Sequence, residues 1–177
     1  MFEVQATYTD LIRASIVANN FSTARVHVIQ KAVSDLPSNS NVSFAVDGAE
    51  TVASKGPLTV PTIRLDDIEW PTGSTILLLK VDVEGSELNV IRSASRLFRA
   101  NRIQHLIFEY TAWWTSRAPQ KELLPYVEKL GPKYLFALDR YSDTVYGPMN
   151  RQALHHFYDY HYKMRLQADI YARFVEW

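Results

Sequence analysis

Three charged side chains occupy alternate positions of one extended segment. Lys80, Asp82 and Glu84 are each separated by one residue, and alternate side chains of a β-strand point to the same face. They end the most apolar run of the chain, just before Gly85, which predicts a turn. Buried charges need a partner or a ligand, and ligands of open α/β sheets bind at the carboxyl ends of the strands. The pattern favours a cofactor or substrate site; the alternative is an internal network of Lys80 with the two carboxylates.

Two further acids end predicted strands. Glu3 closes the first strand, Phe2–Val4, and an acid at that point binds ribose hydroxyls in nucleotide-binding folds. Glu109 stands near the end of the apolar strand Ile103–Tyr110, where it could face the same crevice as Asp82. The alternatives are a solvated loop carboxylate for Glu3 and a helix-cap or loop acid for Glu109.

Metal chemistry has little support in the sequence. Three histidines, His155, His156 and His161, lie near the C-terminus, but their spacing places the rings on different sides of a helix and lacks Cys or carboxylate ligands. Asp82 and Glu84 offer oxygen ligands of the kind that hard cations prefer. A metal-dependent hydrolase using this pair is therefore the weakest hypothesis, and we expect no metal. The chain also has no P-loop, no G-x-G-x-x-G run and no G-x-S-x-G elbow.

The composition narrows the range of partners. The chain has 177 residues with 19 basic and 19 acidic side chains, so its formal net charge is zero. That balance removes the usual electrostatic argument for a nucleic-acid partner. No apolar run approaches the roughly 20 residues of a membrane span. We therefore expect no nucleic acid and no membrane span, and only a default cytoplasmic location.

The element pattern predicts an α/β fold. Strand-like and helical segments alternate, which implies a sheet with helical crossovers. The nearly continuous apolar run Ile76–Val83 predicts a central parallel strand covered on both faces. Tyr134–Leu138 and Thr144–Tyr146 predict a closing antiparallel hairpin, and the aromatic-rich segment Asn150–Glu176 predicts one long helix.

Five collinear segments resemble the FkbM-type methyltransferase family. Residues 77–98, LLLKVDVEGSELNVIRSASRLF, are similar to its Lys-x-Asp-x-Glu-Gly-x-Glu segment. The other four, in the family's order, are FEVQATYTDLIRASIVANNF (2–21), VIQKAVSD (28–35), VPTIRLDDI (60–68) and LIFEY (106–110). The resemblance implies the Rossmann-like class I fold, with helices on both faces of one sheet, and S-adenosylmethionine as cofactor.

The resemblance also implies roles for single residues. Glu3 would hold the ribose hydroxyls, and Ala32 and Val33 would lie beside the adenine. Asp82 would face the methionine end of the cofactor and the acceptor hydroxyl, and is the first choice for the general base. The remaining two acids would line the acceptor side as further catalytic residues: Glu84 and Glu109. The implied acceptor is a hydroxyl of a sugar or another secondary metabolite, so the partner is a small molecule or a glycan.

One family feature is missing from the sequence. The glycine-rich first motif of the family precedes the acid that corresponds to Glu3, and its strand lies between the Glu3 strand and the Asp82 strand. We therefore expect a truncated, inactive methyltransferase domain over residues 1–149, with the first strand missing, and an aromatic helix over 150–177 that packs on it. The alternative is a non-catalytic, methyltransferase-like interaction module, with self-association through the C-terminal helix.

Overall fold

The computed structural model describes residues 1–47, 50–53, 56–114, 117–140 and 142–176. Short strands and helices share the first half of the chain, and longer strands joined by helices follow. In chain order the elements are β1 (Phe2–Glu3), α1 (Ala6–Ala18), β2 (Ile29–Gln30), β3 (Ala32–Val33), β4 (Asn41–Asp47), β5 (Glu50–Ala53), β6 (Leu58–Ile63), a 3-10 turn (Leu65–Asp67), β7 (Ile76–Val81), α2 (Glu87–Ser93), α3 (Ser95–Arg99), β8 (Ile103–Tyr110), α4 (Gln120–Lys129), β9 (Tyr134–Asp139), β10 (Val145–Tyr146), α5 (Arg151–Met164) and β11 (Ala168–Arg173). This is a mixed α/β fold.

The largest sheet has five strands in the order β10-β9-β11-β8-β7. β7 and β8 are parallel, and β11 runs antiparallel between β8 and β9. Because β8 and β9 both oppose β11, they run in the same direction as β7. The carboxyl ends of β7, β8 and β9 therefore meet at one edge of the sheet.

The first half of the chain forms two smaller sheets. β1 pairs with β2 in parallel, and the order β3-β6-β4-β5 makes the second small sheet. β3 also contacts α2, so this sheet lies next to the end of β7 where the charged motif is found. The described residues thus form three sheets instead of the single sheet that the sequence predicted.

The main core lies on one face of the five-stranded sheet. Leu106, Phe108 and Tyr110 of β8 are fully buried there, together with apolar side chains of α2, α3, α4 and α5. The opposite face carries a half-buried row of rings, in which Tyr171 stacks on His105 and Phe136 at centroid distances of 5.8 and 6.0 Å. α1 packs on β1 and β2. Within the described chain, this sheet has its helices on one face, where the sequence predicted both.

The predicted C-terminal helix is wrong in detail. The C-terminal helix begins at Arg151, capped by the Asn150 side chain, but ends at Met164, where Arg165 takes a left-handed backbone with φ of 52°. Residues Ala168–Arg173 then form β11, whose alternating Ala168, Ile170 and Ala172 are buried. Aromatic residues of this segment follow helical spacing, so the sequence predicted a helix throughout. The two-residue period of the strand was missed because the strand forms only against distant partners in β8 and β9.

The apolar strand β7 is not covered on both faces. Among the described residues it pairs only with β8, and Leu77 and Leu78 are 67% and 49% exposed. Apolar sequence alone does not reveal whether a strand has neighbours on both sides.

None of the described helices is both long and apolar enough to cross a lipid bilayer.

Candidate active site

A tight turn follows β7 and presents the charged motif. Glu84 and Gly85 both have left-handed backbones, with φ of 52° and 92°. That conformation costs a non-glycine residue about 1–2 kcal/mol. Contacts of the turn therefore have to offset the strain at Glu84. At Gly85 a Cβ atom would also collide with Cδ of Arg117. Only glycine fits there.

Several side chains hold the backbone of this turn in place through hydrogen bonds. Oε1 of Glu87 accepts hydrogen bonds from the backbone N–H groups of Val83 and Gly85, at 3.2 and 3.0 Å. Arg117 Nη1 donates to the carbonyl oxygen of Glu84 at 2.7 Å, and Gln120 Nε2 donates to that of Gly85 at 3.0 Å. The turn is thus held on both sides of its strained residue.

The carboxyl group that holds the turn is itself buried. Glu87 is 1% exposed, and this burial raises its pKa from 4.5 to about 7, although the backbone hydrogen bonds favour the charged form. Glu87 therefore changes its charge near neutral pH, while its oxygen stays against the turn.

Three carboxylates converge above the turn. One oxygen each of Asp82, Glu84 and Glu109 lies within 4.8 Å of the others. The pairing of β7 with β8 explains this, because Val81 is level with Phe108 in the register. The structure thus brings Glu109 close to Asp82, and the catalytic role of Glu109 stays a prediction.

Each carboxylate of this acidic cluster (Asp82, Glu84, Glu109) has a basic partner. Lys80 Nζ lies 2.8 Å from Asp82 Oδ2. Arg117 Nη1 is 3.5 Å from Glu84 Oε2, and Arg140 Nη1 is 2.5 Å from Glu109 Oε1. Lys80 thus pairs with Asp82 in a largely exposed position, whereas the alternative interpretation of the sequence was an internal network of Lys80 with both Asp82 and Glu84.

The three acids differ in exposure. Glu109 is only 5% exposed. Burial raises its pKa; Arg140 opposes this, and the nearby charges of Asp82 and Glu84 raise the pKa further. The Asp82 side chain, in contrast, is 44% exposed. Asp82 is thus the acid that a molecule arriving from solvent can reach, and Glu109 is a deeper, more easily protonated neighbour.

Three oxygen ligands at this spacing could hold a hard divalent cation. The basic partners reduce that tendency, because Lys80, Arg117 and Arg140 already compensate the negative charge a cation would need. The cluster therefore fits a site whose acids work on an organic ligand better than a metal centre.

A cavity of about 370 Å³ opens beside the acidic cluster. We call it the first cavity. It brings together all four residues that the sequence assigned to the cofactor, Glu3, Ala32, Val33 and Asp82, and also includes Glu84. Its volume is in the range of small-molecule sites. Residues more than 70 positions apart in sequence thus share one wall.

The sequence model of the Methyltransferase FkbM domain matches residues 5–134, which is most of the chain. The chain belongs to the FkbM methyltransferase family. No curated protein and no solved structure matches it. The matched range includes the motif turn, Glu84, Glu109 and most of the first cavity, whereas β10, α5 and β11 lie beyond it.

Two other groups of ionisable side chains in this FkbM-family chain fall outside the acidic cluster. Asp66 accepts hydrogen bonds from the backbone N–H groups of Arg96 and Leu97 at the start of α3, so it is a helix cap. The histidine group does not converge. His161 is buried against Phe157, with ring centroids 3.8 Å apart, while His155 and His156 lie on the exposed side of α5.

Sequence analysis missed the residues that support the acids of the FkbM motif. Glu87 is the last acid of the Lys-x-Asp-x-Glu-Gly-x-Glu segment, so the motif itself was a usable signal. Arg117 and Arg140 follow β8 and β9 in loops with no local pattern. Only the tertiary structure brings their guanidinium groups to Glu84 and Glu109.

Proposed function

We propose that this FkbM-family chain, although its sequence predicted an inactive domain, transfers a methyl group from S-adenosylmethionine to a hydroxyl of a sugar or another secondary metabolite. One observation carries the proposal: Glu3, Ala32, Val33, Asp82 and Glu84 line a single cavity next to Glu109. Methyltransferases of this family generally use S-adenosylmethionine.

The residues around the first cavity suit an adenosine group. Glu3 offers a carboxylate at the end of β1, where its Oε1 accepts the backbone N–H of Gln5 at 2.8 Å. Apolar side chains of Val33, Leu36 and Phe44 line the same cavity. A carboxylate for two ribose hydroxyls beside an apolar wall for a flat base is the arrangement that nucleoside recognition requires.

Transfer to a hydroxyl requires a base and a fixed line of approach. Bound S-adenosylmethionine would supply the methyl group and leave as the neutral thioether, and the acceptor hydroxyl would lose its proton to a carboxylate of the acidic cluster. Asp82 is placed for that proton because it is the exposed acid of the cluster. Glu84, held by Arg117, and Glu109, held by Arg140, orient the acceptor. Such positioning alone is worth several kcal/mol of barrier, about 7–11 at best.

We also propose that the three sheets are parts of one Rossmann-like sheet. The support is the strand order on the β7 side, where parallel β7, β8 and β9 include one antiparallel strand, β11. The free edge of β7 faces away from β8, and β1 and β3 both contribute residues to the cavity at its end. A strand placed between β1 and β7 would complete such a sheet.

The alternative is a non-catalytic interaction module. It is favoured by the lining of the first cavity, which includes no glycine among the described residues. A glycine-rich turn would otherwise supply backbone N–H groups to the amino-acid end of the cofactor.

Titration calorimetry with S-adenosylmethionine on the whole chain separates the two. The proposal predicts binding that falls at least tenfold in Glu3→Ala. The matched control is Asp10→Ala, because Asp10 lies on the exposed side of α1 with a 76% exposed side chain. No binding to the whole chain, or equal affinity of wild type and Glu3→Ala, would refute the proposal and leave the interaction module.

A further inference from the structure

A second, larger cavity lies at the carboxyl edge of the five-stranded sheet. Its volume is about 870 Å³, and it is an open cleft bordered by the end of β9, the start of β11 and one side of α5. All of its lining residues fall between Ala137 and Ala168. This segment lies outside the part of the chain that matches the FkbM family, so the family match assigns nothing to it. We call it the aromatic cavity.

The wall of the aromatic cavity is mainly apolar and aromatic. Its large side chains are Leu138, Tyr146, Met149, Phe157, Tyr160 and Leu166. No lysine or arginine occurs among its described lining residues, and Asp139 is its one carboxylate. His161 is buried in the wall, and burial lowers its pKa, so its ring is neutral at pH 7. Rings and aliphatic side chains thus make up most of the wall, which suits a ligand with a flat apolar body.

A sugar would be a poor fit for this wall. Buried hydroxyl groups need hydrogen-bond partners, and a monosaccharide brings several. The polar side chains of the described wall are Asp139, His156, His161 and Gln167, together with the hydroxyl groups of Tyr146 and Tyr160, and its other described residues are apolar. Pockets with an apolar lining and a few polar groups are typical of aromatic and other largely apolar ligands.

One side chain connects this cavity to the acidic cluster. Nη1 of Arg140 donates to Glu109 Oε1 at 2.5 Å and to Gln167 Oε1 at 3.1 Å. Gln167 lines the aromatic cavity, and the register places its neighbour Ala168 opposite Tyr110, one residue from Glu109. The cavity wall and the cluster are thus separated by a single guanidinium group.

We propose that the aromatic cavity holds the ring of the methyl acceptor, and that the acceptor is a neutral aromatic compound with a hydroxyl group directed over Arg140 towards Glu109. This inference rests on the proposed methyl transfer and narrows its acceptor from sugars and secondary metabolites in general to aromatic hydroxyl compounds.

Ligand binding to the whole chain tests the inference without any catalytic turnover. The probe is 2-naphthol, with methyl α-glucoside as the sugar, and binding is followed by ligand-observed NMR. Ala153 is exposed on α5 and lines the cavity, so Ala153→Trp fills the space without touching the core. We expect it to weaken 2-naphthol binding at least tenfold. As the control, Gln152→Trp places the same ring on the preceding residue, which is exposed but does not line the cavity. It should leave the affinity for 2-naphthol unchanged.

A second pair of variants covers the case in which Ala153→Trp does not fold. Tyr160 lines the cavity and Tyr162 does not, although both are exposed on α5. Tyr160→Ala should weaken 2-naphthol binding about two- to tenfold, the usual effect of one aromatic contact, and Tyr162→Ala should not. Failure of 2-naphthol to bind, unchanged affinity in both cavity variants, or binding of the glucoside in its place would each overturn the inference.

Calorimetry with S-adenosylmethionine on the same samples separates this inference from the proposed function. Ala153 is outside the first cavity, so Ala153→Trp should leave cofactor affinity unchanged. If the cofactor binds and 2-naphthol does not, the acceptor assignment alone is wrong. If 2-naphthol binds in the cavity and the cofactor does not bind at all, methyl transfer is wrong and the acceptor assignment fails with it.

Discussion

The two cavities of this molecule are built in different ways. The first cavity collects residues from Phe2 to Asn89, carried by several strands and turns, and borders on charged groups. The described residues that line the aromatic cavity all come from one stretch of the sequence, Ala137 to Ala168, and its wall is mainly apolar. A cavity assembled over long sequence distances depends on strained turns and ion pairs that hold its parts in register. A cavity built by one segment depends mainly on how that segment packs. Disturbing the motif turn should therefore affect the first cavity and spare the second.

The largest effect is expected at Gly85. In Gly85→Val the valine has to adopt a φ of 92°, and its Cβ collides with the side chain of Arg117. An atom of the Trp114 ring also lies 3.0 Å from that Cβ. Backbone strain and overpacking together should cost about 2–5 kcal/mol of the free energy of unfolding. Urea denaturation measures it. Gly73→Val is the control, because Gly73 has a similar φ of 72° but no atom within 4 Å of an added Cβ, so only the strain of about 1–2 kcal/mol applies. Equal losses in the two variants would contradict the close packing at Gly85.

The next effect is a pH dependence due to Glu87. Its folded-state pKa of about 7 is above its ordinary value of 4.5, so the folded protein holds this proton more tightly than the unfolded chain. The stabilisation is complete below pH 4.5 and is lost as the pH rises to about 7, in total roughly 3 kcal/mol. Glu87→Gln keeps an oxygen for the N–H groups of Val83 and Gly85 and cannot titrate, so this contribution to the slope should disappear.

Urea denaturation at pH 5 and pH 7.5 gives the slope for each variant. Glu122→Gln is the control, because Glu122 has a 58% exposed side chain and should leave the pH dependence nearly unchanged. A slope that persists in Glu87→Gln would show that other groups cause it.

A smaller and opposite pair of effects distinguishes two tyrosines of the large sheet. Tyr110 packs against His161 and Phe157 beneath the aromatic cavity, and its buried Oη has no hydrogen-bond partner among the described residues. Tyr110→Phe removes this unsatisfied group and should raise the free energy of unfolding by about 1 kcal/mol. Tyr171→Phe loses the 2.7 Å contact with His105 Nδ1 and should lower it by about 1 kcal/mol. Thermal unfolding of both variants checks the signs; a loss in Tyr110→Phe would show that Oη has a partner in solution.

The smallest effect is expected for the exposed ion pair beside the first cavity. The side chains of Lys80 and Asp82 are 60% and 44% exposed, and ion pairs of this kind contribute about 0.2–1 kcal/mol. Lys80→Met should therefore change the free energy of unfolding by less than about 1 kcal/mol. A loss of several kcal/mol in urea denaturation would mean that the acidic cluster is held mainly by Lys80 instead of by Arg117 and Arg140.

Prediction from the sequence worked where a pattern is local or belongs to the family motif. The strands at Ile76 and Ile103 and the hairpin of β9 and β10 were predicted within a few residues. Glu3, Asp82 and Glu84 were selected from strand ends and motif positions, and they do share a cavity. Their roles in binding and catalysis stay predictions until the variants are measured.

Prediction failed where an element depends on a distant partner. β11 was interpreted as part of a helix because the rings around Phe157 follow helical spacing, whereas its own two-residue period is satisfied only between β8 and β9. The exposure of Leu77 and Leu78 was missed because an apolar strand has the same sequence whether or not a neighbour covers it.

The sequence by itself determined the α/β class, the FkbM family and the acids that belong to its motif, because those depend on residue order and short-range periodicity. The tertiary structure alone decided which basic side chain pairs with each acid. It also decided that Glu87 is buried against the motif turn and that α5 and β9 border an aromatic cavity. These features arise between residues that are distant in sequence, and their energies depend on burial and separation in space. No local pattern encodes either quantity.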